Sequence, residues 1–177
     1  MTTSRGTTRR QFLSSAAAVS VAATSLPSAA FARRASAPSL RVAAFGVGGM
    51  GASDLGSVAS AESVDIVALC DVDSLRLGSA ARRHPRARTF ADWRHVLDLM
   101  AHDIDAVVIS TPDHMHGPIA LAAMDLGKHA YVQKPLAHNV RECRAMARMA
   151  RARGVVTQMG TQIHSESAYR SAVEKWK

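Results

Sequence analysis

Residues 46–51, Gly46-Val47-Gly48-Gly49-Met50-Gly51, read G-x-G-x-x-G, the spacing of a turn that cradles phosphate. Gly46 permits a tight turn, Gly48 has no Cβ to hold off a pyrophosphate, and Gly51 allows the next helix to pack closely. Gly49 and Met50 lead into that helix, whose first N–H groups and partial positive charge suit an anion. Asp71 stands twenty positions beyond Gly51. A carboxylate there accepts hydrogen bonds from an adenosine ribose diol and repels a 2′-phosphate, so the chemistry is dinucleotide binding, with NAD favoured over NADP.

Two later stretches also carry reactive types. Ser110-Thr111-Pro112-Asp113-His114-Met115-His116 follows an apolar run, and Gln133-Lys134-Pro135 follows another. Ligands of open α/β sheets bind beyond the carboxyl ends of strands, where both stretches fall. Lys134, held by the proline after it, is placed to reach a sugar hydroxyl or the cofactor. Asp113-x-x-His116 or His114-x-His116 could begin a metal site, but nothing nearby completes a ligand set, so no metal is expected.

The elements that must position these groups alternate regularly. Leu40–Phe45 and Val64–Cys70 read as strands on either side of the glycine turn and its helix. Ser74 to about His84 reads as a helix, 86–90 as a short edge strand, and 92–100 as an amphipathic helix with Trp93, Val96, Leu97 and Met100 on one side. Asp105–Ile109 is a buried strand. The 110–116 loop then enters a helix with Pro118 in its first turn, an apolar stripe of Ile119, Ala122, Ala123 and Leu126, and Gly127 at its end. His129–Val132 is a strand. Asn139 with Glu142 forms a capping box for a long helix closed by Gly154, and Val155–Met159 is a last strand. Strands alternating with helices over short connections imply α/β architecture with a doubly wound parallel sheet. No internal repeat interrupts it.

The chain of 177 residues is 47% hydrophobic and only 5% aromatic, which calls for one core built from Val, Ile, Leu, Ala and Met. Its formal charge of +8 does not by itself name a partner. Arg141, Arg144, Arg148 and Arg151 share one face of the last long helix, opposite Cys143, Ala147 and Ala150. That is a solvated face, and without interleaved aromatics it excludes a nucleic-acid reading. Residues 1–32 carry Arg9-Arg10-Gln11-Phe12-Leu13, a weakly apolar region and Ala30-Phe31-Ala32. This resembles a twin-arginine export signal with an A-x-A cleavage site, too polar and short for stable membrane insertion, and implies a periplasmic or secreted protein. Residues 33–39 read as a linker. Cys70 and Cys143 read as small buried hydrophobes rather than a disulfide.

Taken together, the glycine turn, Cys70-Asp71-Val72-Asp73, Ser110-Thr111-Pro112-x-x-x-His116 and Lys134-Pro135-Leu136 resemble the Gfo/Idh/MocA oxidoreductases over about residues 40–164. The resemblance implies a Rossmann domain in which Gly46, Gly48 and Gly51 line the pyrophosphate and Asp71 meets the ribose. Ser110, Thr111, Pro112, His114, His116 and Gln133 would then lie along the cofactor, and Lys134 would be the catalytic lysine. It also implies a sugar or cyclitol substrate and a hydride passed between a secondary alcohol and nicotinamide. Some members instead act as NAD-dependent glycoside hydrolases, and a non-catalytic nucleotide-binding fragment is a third reading. Gln133 stands where the family usually has Glu. Members continue into a second α/β domain that carries the catalytic histidine and usually the oligomer interface. Residues 165–177 are expected to be that domain's first helix, with homo-oligomers forming only through it. His164 lies too near the last strand to be that histidine.

Overall fold

The computed structural model describes residues 39–176. The expected export signal and nearly all of the linker lie outside the described residues.

Six strands form one sheet in the order β3-β2-β1-β4-β5-β6, and every neighbouring pair is parallel. The strands are β1 (Leu40–Phe45), β2 (Val64–Cys70), β3 (Arg88–Phe90), β4 (Ala106–Ile109), β5 (His129–Gln133) and β6 (Thr157–Gly160). Between them run α1 (Met50–Ala59), α2 (Ser74–Arg83), α3 (Trp93–Met100), α4 (Asp113–Asp125) and α5 (Val140–Arg153), and α6 (Ser167–Trp176) follows β6. The strand order reverses direction between β1 and β4, which opens a crevice at their carboxyl ends.

Burial on both faces of the sheet explains why β1 and β4 read as continuous apolar runs rather than alternating ones. Val42 and Ala44 face one layer, where Leu55 of α1 and Ala80 of α2 pack. Ala43 and Phe45 face the other, with Val96, Leu97 and Met100 of α3 and Ile119, Ala120, Ala123 and Met124 of α4. The pairing of β1 with β2 slips between Val42 and Ala43, so Val67 is an extra residue. The slip sends Ala68 and Cys70 to the α3–α4 layer while Ile66 and Leu69 remain opposite. Phe45 is the one aromatic side chain in the fully buried core of the described residues, which otherwise holds Val, Ile, Leu, Ala, Met and Cys beside a few polar groups.

Local chemistry bounds α2, α3 and α5 where the sequence places their ends. Asp73 caps α2 through Leu75 N–H and Arg76 N–H, and Asp92 caps α3 through Arg94 N–H. Asn139 and Glu142 bond reciprocally at the start of α5, and Gly154 closes it in the left-handed region at φ 64°. At the opposite end of the sheet, Asp105 accepts from Arg41 N–H, Nε and Nη2 at 2.9, 3.0 and 2.7 Å. These hydrogen bonds hold the Asp105 carboxyl down at about 2.

Several expected boundaries move. Helix α4 begins at Asp113, not beyond His116. Pro112 serves as N-cap and Asp113 favours the first turn, so Pro118 lies inside the helix. Its buried stripe is therefore His116, Ile119, Ala120, Ala123 and Met124, and Leu126 is exposed. Strand β3 begins at Arg88 rather than Arg86, and β6 runs from Thr157 to Gly160 rather than from Val155. These edge strands extend only as far as their neighbours pair, Ala68 with Arg88 and Ala130 with Thr157. On α5 Met146 is the buried residue and Ala147 is exposed, while Arg141, Arg144, Arg148 and Arg151 face solvent as expected. Cys70 and Cys143 are free thiols. Among the described residues no helix is long and apolar enough to cross a membrane.

Candidate cofactor site

The glycine turn is held from both sides. Gly46 adopts φ +77°, donates its N–H to Cys70 O at 2.8 Å, and lies so close to β4 that a Cβ would sit 2.6 Å from Ser110 O. A Cβ on Gly51 would run into the carbonyl oxygen of Gly46, so α1 packs backbone against backbone on the turn. A Cβ on Gly48 would first meet the Arg76 side chain. Gly49, the N-cap residue, offers no side chain to the first N–H groups of α1. That helix end thus presents an uncapped partial positive charge beside the turn.

Asp71 braces this arrangement. Its Oδ2 accepts from Val47 N–H at 2.9 Å and its Oδ1 from Asp73 N–H at 3.0 Å. Each oxygen keeps a further lone pair, and the carboxylate faces a groove of about 790 Å³. Gly46, Gly48, Asp71, Ser110, Thr111, Pro112 and His114 all line that groove. Its far wall is formed by residues that the sequence reading did not select. Arg76 pairs with Asp73 at 3.2 Å, and Arg94 lies over the Trp93 ring at 4.6 Å. Their sequence signal was only proximity to Asp71 and to the cap at Asp92. Trp93 and Thr111 both line the groove, and the Trp93 Nε1 and Thr111 Oγ1 atoms are buried without a hydrogen-bond partner. Cys70 also borders the groove, and burial first, then the Asp71 and Asp92 charges, push its thiol up to about 12.

The remaining expected site residues lie behind or beside the groove. Gly49 and Met50 are exposed at the start of α1. His116 was expected along the cofactor, but it is 1% exposed. Its Nδ1 lies 2.7 Å from Pro135 O and its Nε2 2.8 Å from Thr111 O. It ties the loop after β4 to the loop after β5, because a helix beginning at Asp113 turns position 116 inward. Gln133 is 4% exposed and bonds to Asp54, a buried residue of α1 absent from the sequence reading. Lys134 is exposed at the carboxyl end of β5, outside the groove lining. Among the described residues no three or more His, Cys, Asp or Glu side chains gather to hold a metal ion.

A dinucleotide fits these groups. The turn and the uncapped helix end suit its pyrophosphate, Asp71 suits a ribose diol, and Trp93 and Thr111 of the groove lining each carry an unpartnered polar atom. The family model described as "Oxidoreductase family, NAD-binding Rossmann fold" matches residues 40–161. The chain belongs to the Gfo/Idh/MocA oxidoreductase family. Among curated proteins, a glycosyl hydrolase family 109 protein of Shewanella sp. (strain W3-18-1) is 37% identical over 111 residues, covering 59% of this chain and 24% of the relative. An alpha-N-acetylgalactosaminidase of Shewanella oneidensis matches with the same identity and coverage. Among solved structures, myo-inositol 2-dehydrogenase from Lactobacillus plantarum is 27% identical with a TM-score of 0.71, covering 77% of this chain and 40% of that one. GenD2 from gentamicin A biosynthesis, solved in complex with NAD, is 28% identical with a TM-score of 0.72 over 79% of this chain and 39% of that one. The chain spans about a quarter of the length of these curated relatives and about two fifths of the solved ones.

Proposed function

We propose that this chain is the cofactor-binding part of an exported, NAD-dependent enzyme that oxidises a secondary alcohol of a sugar or cyclitol. The observation that carries the reading is Asp71, which braces the glycine turn and faces the groove at the β1–β4 crossover. Gly46, Gly48 and Gly51 with the α1 terminus hold the pyrophosphate, and Asp71 takes the ribose diol while its charge repels a 2′-phosphate. Thr111, Pro112 and His114 guide the other half of the dinucleotide along the β4 loop, and His116 fixes that loop from behind. NAD, when bound, supplies the hydride acceptor. Lys134 orients the substrate hydroxyl and assists movement of its proton at the carboxyl end of β5. Residues 1–32 direct export by the twin-arginine route, and residues 165–177 begin a substrate domain through which copies associate.

A second reading has one specific support, the 37% identity to relatives named as glycosyl hydrolase family 109 proteins. There the same cofactor and the same Lys134 serve a transient oxidation within glycoside cleavage, with no net nicotinamide reduction. Assaying the longer protein that contains this chain on a sugar panel separates the two. Net rise of the reduced-nicotinamide absorbance supports the dehydrogenase, and sugar release without that rise supports the hydrolase. In either case Lys134→Ala should lower kcat/KM by about 10²–10⁴ with NAD affinity little changed. Full activity in that variant removes Lys134 from the mechanism.

A further inference from the structure

Asp54 is 6% exposed on the inward side of α1 and has no ion-pair partner among the described residues. Neutral donors surround it instead. Ser110 Oγ donates to Oδ2 at 2.6 Å, Gln162 Nε2 donates to Oδ1 at 3.0 Å, and Gln133 Nε2 reaches Oδ2 and Oδ1 at 3.0 and 3.3 Å. Gln133 Oε1 accepts the Lys134 backbone N–H at 2.8 Å. That bond fixes the amide orientation, because the oxygen is committed to Lys134 and the NH₂ must face Asp54. One carboxylate therefore gathers α1, the last residue of β5 and the segments after β4 and β6, and its link to β5 ends on Lys134.

We propose that Asp54 is a positioning residue that acts on Lys134 through Gln133, in a pair that tolerates one negative charge and not two. The consequence for turnover rests on the reading that Lys134 meets substrate, whereas the pairing itself does not. A glutamate at 133 would set two carboxylates about 3 Å apart in a buried place, where they must share a proton. The titratable group that faces Asp54 is Tyr131 of β5, and burial and then the Asp54 charge raise its phenol, so it stays protonated throughout neutral pH. Its hydrogen-bond partners Ser110, Gln133 and Gln162 do not titrate in that range.

The test uses the 177-residue chain in four forms: native, Gln133→Glu, Asp54→Asn, and the double variant. The shared proton of Gln133→Glu has a folded-state pKa above the unfolded carboxylate value. Its penalty is therefore small at about pH 5 and grows as pH rises. Melting should be near native at about pH 5 and on the order of 5–10 °C lower at about pH 8. Asp54→Asn turns an amide toward the Gln133 amide and should melt low at both pH values. The double variant restores one charge with reversed donors, and should recover most of the loss at about pH 8 even if Gln133→Glu alone fails to fold there.

The second readout is ¹³C-methyl NMR of the reductively methylated chain; because Lys134 directly follows position 133, its deciding arms are Asp54→Asn, which changes no neighbour of Lys134 in sequence, and the double variant. Its four lysines are Lys128, Lys134, Lys175 and Lys177. The Lys134 signal should move in each single variant that folds and return in the double, with Lys128 unmoved. Melting of Gln133→Glu parallel to native across this range overturns the proposal, as does a double variant no better than the worse single. A fixed Lys134 signal also overturns it. None of these readouts uses NAD, so they stand or fall apart from the proposed reaction.

Discussion

Two glycines of one turn should respond oppositely to the same methyl group. At Gly51 the new Cβ meets the Gly46 carbonyl oxygen, which is backbone and cannot rotate away, so α1 must lift off β1. Overpacking of this kind costs about 1–3 kcal/mol and occasionally more, while replacing a helical glycine returns at most about 1 kcal/mol. A net loss of about 2 kcal/mol lowers the melting temperature of a chain this size by about 4–8 °C. At Gly48 the Cβ would meet the Arg76 side chain along its length, Cδ first, then Nε at 2.9 Å and Cγ at 3.0 Å, and that chain is exposed enough to swing aside as a whole. Gly48→Ala should melt within about 2 °C of native. It should instead hold the pyrophosphate off the turn. Loss of one charge-assisted hydrogen bond, about 1.5–3 kcal/mol, weakens NAD binding by about ten- to a hundredfold. Thermal scans and calorimetric titration of both variants read the two effects separately. Native NAD affinity in Gly48→Ala, or a native melting temperature in Gly51→Ala, would refute this assignment of roles.

Three further outcomes follow from the geometry. Asp105 is held at about 2, below its unfolded value, so its bonds to Arg41 stabilise above about pH 4 and fade as pH falls through about 2. The stability gap between native and Asp105→Asn should therefore close over that window in acid-denaturation curves, and a gap that stays constant would exclude the ion pair as its source. Cys70, with its thiol near 12, should resist iodoacetamide at about pH 8 until denaturant opens the fold; rapid labelling of the native protein at Cys70 would contradict its burial. Helix α6 packs on the short turn before it and leaves Tyr169, Val173 and Trp176 exposed, Trp176 at 93%. Removing residues 165–177 should raise solubility without weakening NAD binding, and unfolding of the shortened chain would make α6 part of the core.

What was legible in the sequence was local. The glycine turn, Asp71 at the end of β2, and the Asn139–Glu142 cap each reveal themselves within a few residues or a single β-α-β unit. The α4 start is ambiguous in the sequence because Pro118 offers a second first-turn proline beside the true start at Pro112-Asp113, and only the true start turns His116 inward. Val67, the bulged residue of β2, looks like its neighbours in an apolar run and shows only through pairing with β1. Asp54 lies three residues after Gly51, a helical spacing that turns it toward the sheet. Its partners, Ser110, Gln133 and Gln162, are 56, 79 and 108 positions away, a separation no local pattern spans. Arg76 and Arg94 were hidden for a different reason, since solvated arginines are common and only the groove gives these two a role.

Under the proposed function, the groove beside Asp71 takes NAD and discriminates against the 2′-phosphate. Calorimetric titration of the native chain and of Asp71→Ser with NAD and with NADP tests it most directly. The native chain should bind NAD more tightly, and Asp71→Ser should narrow the gap by about 1.5–3 kcal/mol, with NAD affinity also falling as the brace on Val47 N–H weakens. Equal affinity of the native chain for the two cofactors, or a gap unchanged in Asp71→Ser, would contradict it.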